Sequence, residues 1–161
     1  TVGFDGSEFA AAALRKGLWL AQQLDLPLRV IRAWTISNAP RPSNWEPGFI
    51  PPLEDFAKAV AELAHNQLAP ILAEYPQVDA SIEVPHGAAG RELIRASAAS
   101  SMIVVGTRGL GGFAGLLIGS VSDQVVEHAD CDVLVVRSSQ DDPAPPRTLK
   151  LDSVIAGPPE D

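Results

Sequence analysis

Two short stretches of this 161-residue chain carry residue types suited to holding an anion. The first is Gly106-x2-Gly109-x9-Gly119-Ser120, where six of the 13 glycines fall within 14 positions, a density that implies a demand for bare backbone. Gly106 and Gly109 directly follow the apolar run Met102 to Val105, so the missing Cβ lets a ribose and its phosphates come close. Gly119-Ser120 opens a helical pattern, whose unpaired first-turn N–H groups and dipole favour an anion. Ser120 and Ser122 add hydroxyl donors. The second stretch is Asp5-Gly6-Ser7, where either Asp5 or Ser7 is placed to cap the helix that follows.

Other chemistries fit less well. A P-loop is excluded because no glycine here is followed by lysine. The letters Gly109-x-Gly111-x-x-Ala114 match a dinucleotide fingerprint, but they follow the fourth expected strand instead of the first, and no acid ends the next strand. His65, His86 and His128 are not at metal-ligand spacing. Ser120 and His128 are eight residues apart, about 12 Å along a helix, too far for a nucleophile and its base. Cys131 reads as a small packed side chain. The residues therefore point to binding, with no general base or positioned nucleophile for efficient catalysis.

The elements that must position these residues follow from periodicity. Strands are expected at Thr1–Phe4, Leu28–Trp34, Ser81–Val84, Met102–Val105 and Asp132–Arg137. Helical patterns occupy the stretch up to about Gln23, Leu53 to about Tyr75, Gly90–Ser100 and Ser120–Ala129, with Pro70 expected to kink or split the second. Thr35–Pro52, with five prolines, is a long loop, and Trp34, Trp45 and Phe49 either pack it over a cleft or tuck it down. This alternation predicts an α/β fold: an open five-stranded parallel sheet with helices on both faces. In such sheets ligands bind beyond the carboxyl ends of the strands, where the order reverses. Residues 1–137 form the domain, and the polar, proline-rich 138–161 reads as a tail or linker.

Composition narrows the partners. A net charge of −8 argues against nucleic acid and anionic membrane, both of which require basic surface. No apolar run approaches the length of a bilayer span. A single cysteine permits no internal disulfide and points to a reducing cytoplasm.

The long glycine motif, together with Val121-Ser122-Asp123-Gln124-Val125-Val126-Glu127-His128, Cys131-Asp132-Val133-Leu134-Val135-Val136 and the opening Gly3-Phe4-Asp5-Gly6-Ser7-Glu8, resembles the universal stress protein family over about residues 1–137. The resemblance implies strand order 3-2-1-4-5, an adenine-nucleotide-hydrolase-like sheet, and ATP binding in the subclass with this motif. It implies Asp5 near the ribose, Ala33 offering its backbone to adenine, and Gly3, Phe4 and Val105 lining the cleft. Gly106 and Gly109 then pack on ribose and phosphates, while Gly119, Ser120, Val121 and Ser122 hold the phosphate tail and Arg108 adds positive charge. Magnesium comes with the phosphates. The expected role is a regulatory or sensing module in stress response.

The family also implies a homodimer through the last strand, Val133–Val136, or a tandem second domain beginning in the apolar patch from Leu149 to Ile155. Two departures stand out: the first strand looks cut short, and Asp130-Cys131-Asp132 replaces a turn in which proline is common. The rival readings are an adenine-nucleotide hydrolase or adenylating enzyme on the related fold, and a dimeric interaction protein with an empty site. The first is disfavoured because Asp5-Gly6-Ser7-Glu8 lacks a Ser-Gly-Gly-rich phosphate loop.

Overall fold

The computed structural model describes residues 1–110 and 118–137; Gly111, Gly112, Gly115 and the segment 138–161 lie outside these. The elements run β1 (Val2–Gly3), α1 (Glu8–Leu24), β2 (Leu28–Ile31), α2 (Leu53–Leu72), β3 (Ala80–Glu83), α3 (Ala89–Ser97), β4 (Met102–Gly106), α4 (Ser120–His128) and β5 (Asp132–Val136). The strands form a single sheet in the order β3-β2-β1-β4-β5. Every pairing is parallel, with Val2 opposite both Val30 and Val104, and Val104 opposite Leu134.

Alternation along the strands sorts the core into two layers. Val2, Val30 and Val104 point to one face, where they pack with Leu14 and Leu18 of α1 and Ala64 and Leu68 of α2. Ile31, Ile103 and Val105 point to the other, against Leu93 of α3 and Val125 of α4. The helices therefore cover both faces, as their βαβ connections require.

Local chemistry sets the boundaries. Ser7 caps α1, its hydroxyl accepting from Ala10 N–H at 3.1 Å. Asp5 instead accepts from Ser7 N–H at 2.9 Å, which fixes the turn around Gly6, a residue held at φ +90° where side chains are strained. α1 ends on Asp25 in the left-handed region, where its N–H donates to Ala21. The second strand is shorter than its apolar run suggests. Beyond Ile31 the chain keeps the bond from Arg32 N–H to Glu83 O and an isolated bridge between Trp34 and His86. There the Trp34 indole turns into a small cluster with Phe56 and Val60 and donates to Val84 O.

Pro70 does not split α2, which continues to Leu72. The carbonyl it deprives of a donor belongs to Asn66, which is exposed to water, and the helix ends within a turn. In the long loop Trp45 and Phe49 are exposed and do not line the cavity described below. No helix among the described residues is long and apolar enough to cross a membrane.

A surface contact joins α1 to the turn after α2: the Arg15 guanidinium grips the Glu74 carboxylate through Nε at 3.0 Å and Nη2 at 2.9 Å. That hydrogen bond holds the Glu74 pKa below its ordinary 4.5 and raises that of Arg15. Because the folded pKa of Glu74 is depressed, the contact stabilises fully above about 4.5 and is lost as pH falls through the lower folded value. Both side chains are nearly half exposed, so screening keeps the contribution small, about 0.5 kcal/mol. Glu74→Gln should lower the urea midpoint slightly near neutral pH, and the difference from wild type should vanish in acid; a difference independent of pH would contradict this.

Candidate functional site

The strand order reverses between β1 and β4, because β2 and β3 extend the sheet on one side and β5 on the other. The chain therefore diverges beyond the carboxyl ends of these two strands and leaves a crevice. A cavity of about 540 Å³ lies there. Gly3, Phe4 and Asp5 reach it from β1 and its turn, and Ala33 from just past β2. Val105, Gly106, Arg108 and Gly109 reach it from β4 and the loop beyond, and Gly119, Ser120, Val121 and Ser122 from the start of α4. Twelve residues spread from position 3 to position 122 thus line one space.

The first turn of α4 has the features of an anion site. Its N-cap is Gly119, which has no side chain to reach back over the helix end. Gly119 N–H itself donates to Thr107 O at 2.7 Å, which ties α4 to the end of β4. The N–H groups of the next residues lack intrahelical acceptors, as in any helix, and those residues line the cavity. Ser122 acts differently from the expectation that its hydroxyl is a donor to a ligand. That hydroxyl is buried and donates to Gly106 O at 2.6 Å, so it braces β4 and leaves its N–H for the site. Ser120 is exposed at the helix start, and its hydroxyl has no partner among the described residues.

The three motif glycines serve different ends. A Cβ on Gly106 would stand 2.7 Å from the backbone C and O of Phe9, so α1 demands this glycine whatever the cavity holds. A Cβ on Gly109 would collide with the Asp5 carboxylate. Among the described residues, a Cβ on Gly119 meets nothing closer than Arg108 Cα at 3.4 Å, and its φ of −75° suits any residue. Packing by the described residues therefore leaves room for a side chain at Gly119.

Asp5 is the hub between the two ends of the site. Besides the bond from Ser7, its second oxygen accepts from Leu110 N–H at 2.8 Å, joining the β1 turn to the glycine loop. Arg108 lines the cavity with its guanidinium 6.0 Å from the Phe9 ring centre. Sequence reasoning missed Arg32, Asn38 and Leu93, which line the same space. Arg32 is only 9 % exposed, and burial pulls its pKa below the ordinary value while the nearby charge of Asp5 opposes that shift. A cation within the apolar run Leu28–Trp34 was the available signal for Arg32, whereas Asn38, in a proline-rich loop, offered none.

Comparison with known proteins gives concordant matches. A model of the universal stress protein family matches residues 1–137. Universal stress protein Rv2624c of Mycobacterium tuberculosis (strain ATCC 25618 / H37Rv) is 34% identical over 143 residues, covering 89% of this chain and 49% of that protein. The chain spans about half the length of the curated relatives it matches. Among solved structures, a universal stress protein in complex with cAMP aligns at TM-score 0.58 and 24% identity, covering 86% of this chain and 95% of that one. The universal stress protein from Archaeoglobus fulgidus in complex with dAMP aligns at 0.56 and 16%, covering 83% and 93%. At those identities the likeness concerns the fold.

The contrast between the glycines is measurable without any ligand. Gly106→Ala should destabilise the protein by about 1–3 kcal/mol, since backbone must move to admit one methyl group. Gly119→Ala should stay within about 1 kcal/mol of wild type, the scale of a helix N-cap change. Thermal melts of the two variants check this, and equal losses would contradict the division of roles.

Proposed function

This chain belongs to the universal stress protein family, and from that premise we propose that it is an ATP-binding module that senses or regulates during stress and is not an efficient catalyst. The observation that carries the reading is the start of α4, without a capping side chain and open to a cavity, where the described residues leave room for a side chain at Gly119. Phosphates accept from the first-turn N–H groups and Ser120 Oγ, with Arg108 nearby as a cation. The ribose lies by Asp5, and the base lies toward Ala33, between Gly3, Phe4 and Val105. Two relatives of this fold in complex with cAMP and dAMP support an adenine nucleotide as the ligand class.

Magnesium enters with the nucleotide. Among the described residues no group of three or more His, Cys, Asp or Glu gathers to hold a metal, which suits an ion carried by the phosphates. The case for binding over turnover rests on Asp5, the one carboxylate that faces the cavity among the described residues. Each of its oxygens accepts from a backbone N–H group, which suits a carboxylate held in place for binding.

We read residues 1–137 as one family domain and 138–161 as a linker or the start of a second repeat. β5 lies at the sheet edge, and its Val133–Val136 suits pairing with a second copy or with a tandem domain. Such a pairing would cover the unpaired backbone groups of an apolar strand.

Equilibrium dialysis should show binding of ATP at roughly micromolar to sub-millimolar concentration. Gly119→Val should abolish that binding while the variant stays folded, because the added methyls fill the approach to the helix N-terminus. Wild-type protein that takes up no adenine nucleotide at about millimolar ATP would refute nucleotide binding, and unimpaired binding by the variant would refute this phosphate site.

A further inference from the structure

The cavity contains one charged group that the reading above does not use. Arg32 is nine-tenths buried and lines the cavity, and its Nη1 is sealed from water with no hydrogen-bond partner. The rest of that guanidinium has no hydrogen-bond partner among the described residues either, so a buried cation stands unsatisfied at the cavity wall, and a ligand acceptor that reaches it would make a missing bond. Asp5 lines the same space, yet no carboxylate lies within ion-pair distance of Arg32 among the described residues. The two residues therefore line one cavity without an ion pair between them.

The chemistry of the pair narrows what fits there. A guanidinium only donates and an ionised carboxylate only accepts. A group placed between them must accept from one and donate to the other, and a hydroxyl does both. A phosphate would satisfy Arg32 but would stand against Asp5, and an apolar edge would satisfy neither. Asp5 currently accepts from Leu110 N–H, and a carboxylate oxygen has a second lone pair for a ligand hydroxyl without loss of that contact.

We infer that Arg32 is a specificity-determining residue that, with Asp5, reads a hydroxyl of the ligand's sugar and so distinguishes ribonucleotides from their deoxy analogues. The inference rests on the nucleotide reading above and adds to it a residue and a selectivity. Rejection follows from the same physics: a deoxy sugar leaves the Arg32 donor unfilled, and a site built for a hydroxyl then pays the full cost of a stranded charged group.

The test compares ATP, 2′-deoxy-ATP and 3′-deoxy-ATP by calorimetry on wild type, Arg32→Met and Arg32→Lys. Methionine keeps much of the volume without donor or charge, and lysine keeps a charge without the planar fork. Wild type should prefer ATP over at least one deoxy analogue by about tenfold, the scale of one charge-assisted hydrogen bond. Arg32→Met should bring that ratio close to one by weakening ATP alone, with its binding of the discriminated analogue within about twofold of wild type. Arg32→Lys should fall between the two. Thermal melts with and without analogue establish that each variant is folded. A ratio retained in Arg32→Met, or an equal loss for ATP and both analogues, would overturn the assignment. Wild-type protein that binds none of the three would overturn the nucleotide reading itself.

Discussion

Two hydrogen bonds hold the start of α4 against the end of β4, and the geometry of the cavity depends on them. Gly119 N–H donates to Thr107 O, and the Ser122 hydroxyl donates to Gly106 O, both within 2.7 Å. Their acceptors lie where β4 leaves the sheet, and Thr107 N–H donates in turn to Val136 O, so the turn is also tied to β5. With this docking in place, a helix N-terminus without a capping side chain opens on the crevice between β1 and β4. The orphan donors and the dipole are then properties of position, independent of any particular side chain.

The glycine motif consequently combines two kinds of position. At Gly106 and Gly109 the protein itself excludes a side chain, because α1 and Asp5 already occupy the space. At Gly119 the described residues leave room for a side chain. A motif of three glycines thus mixes positions that helix docking and a carboxylate-anchored loop require with one that neither requires. The carboxylate of Asp5 connects these parts, since it fixes the β1 turn through Ser7 N–H and the glycine loop through Leu110 N–H.

The same sheet order that creates the crevice leaves β3 and β5 at the edges. β3 alternates half-buried and exposed residues, whereas Val133 to Val136 of β5 are apolar and half-buried throughout. The outer edge of β5 has no partner strand among the described residues, so its apolar run borders unpaired backbone groups. Crevice and edge are thus two outcomes of one topology.

The sequence by itself determined the element order, the parallel sheet and the residues that meet at its carboxyl edge. Period-two apolar strands alternating with period-3.6 helices admit few other arrangements. Strand order was legible through likeness to a family, since pairing partners far apart in sequence leave little local trace. Tertiary structure alone decided which hydroxyl braces the fold, which glycines packing requires, and where the strand at Leu28–Trp34 ends. It alone brought Arg32 to the cavity beside Asp5, 27 positions away in the chain. Periodicity reports which face a residue lies on, whereas the partner that satisfies or strands a buried polar group is chosen by whatever the fold places opposite it.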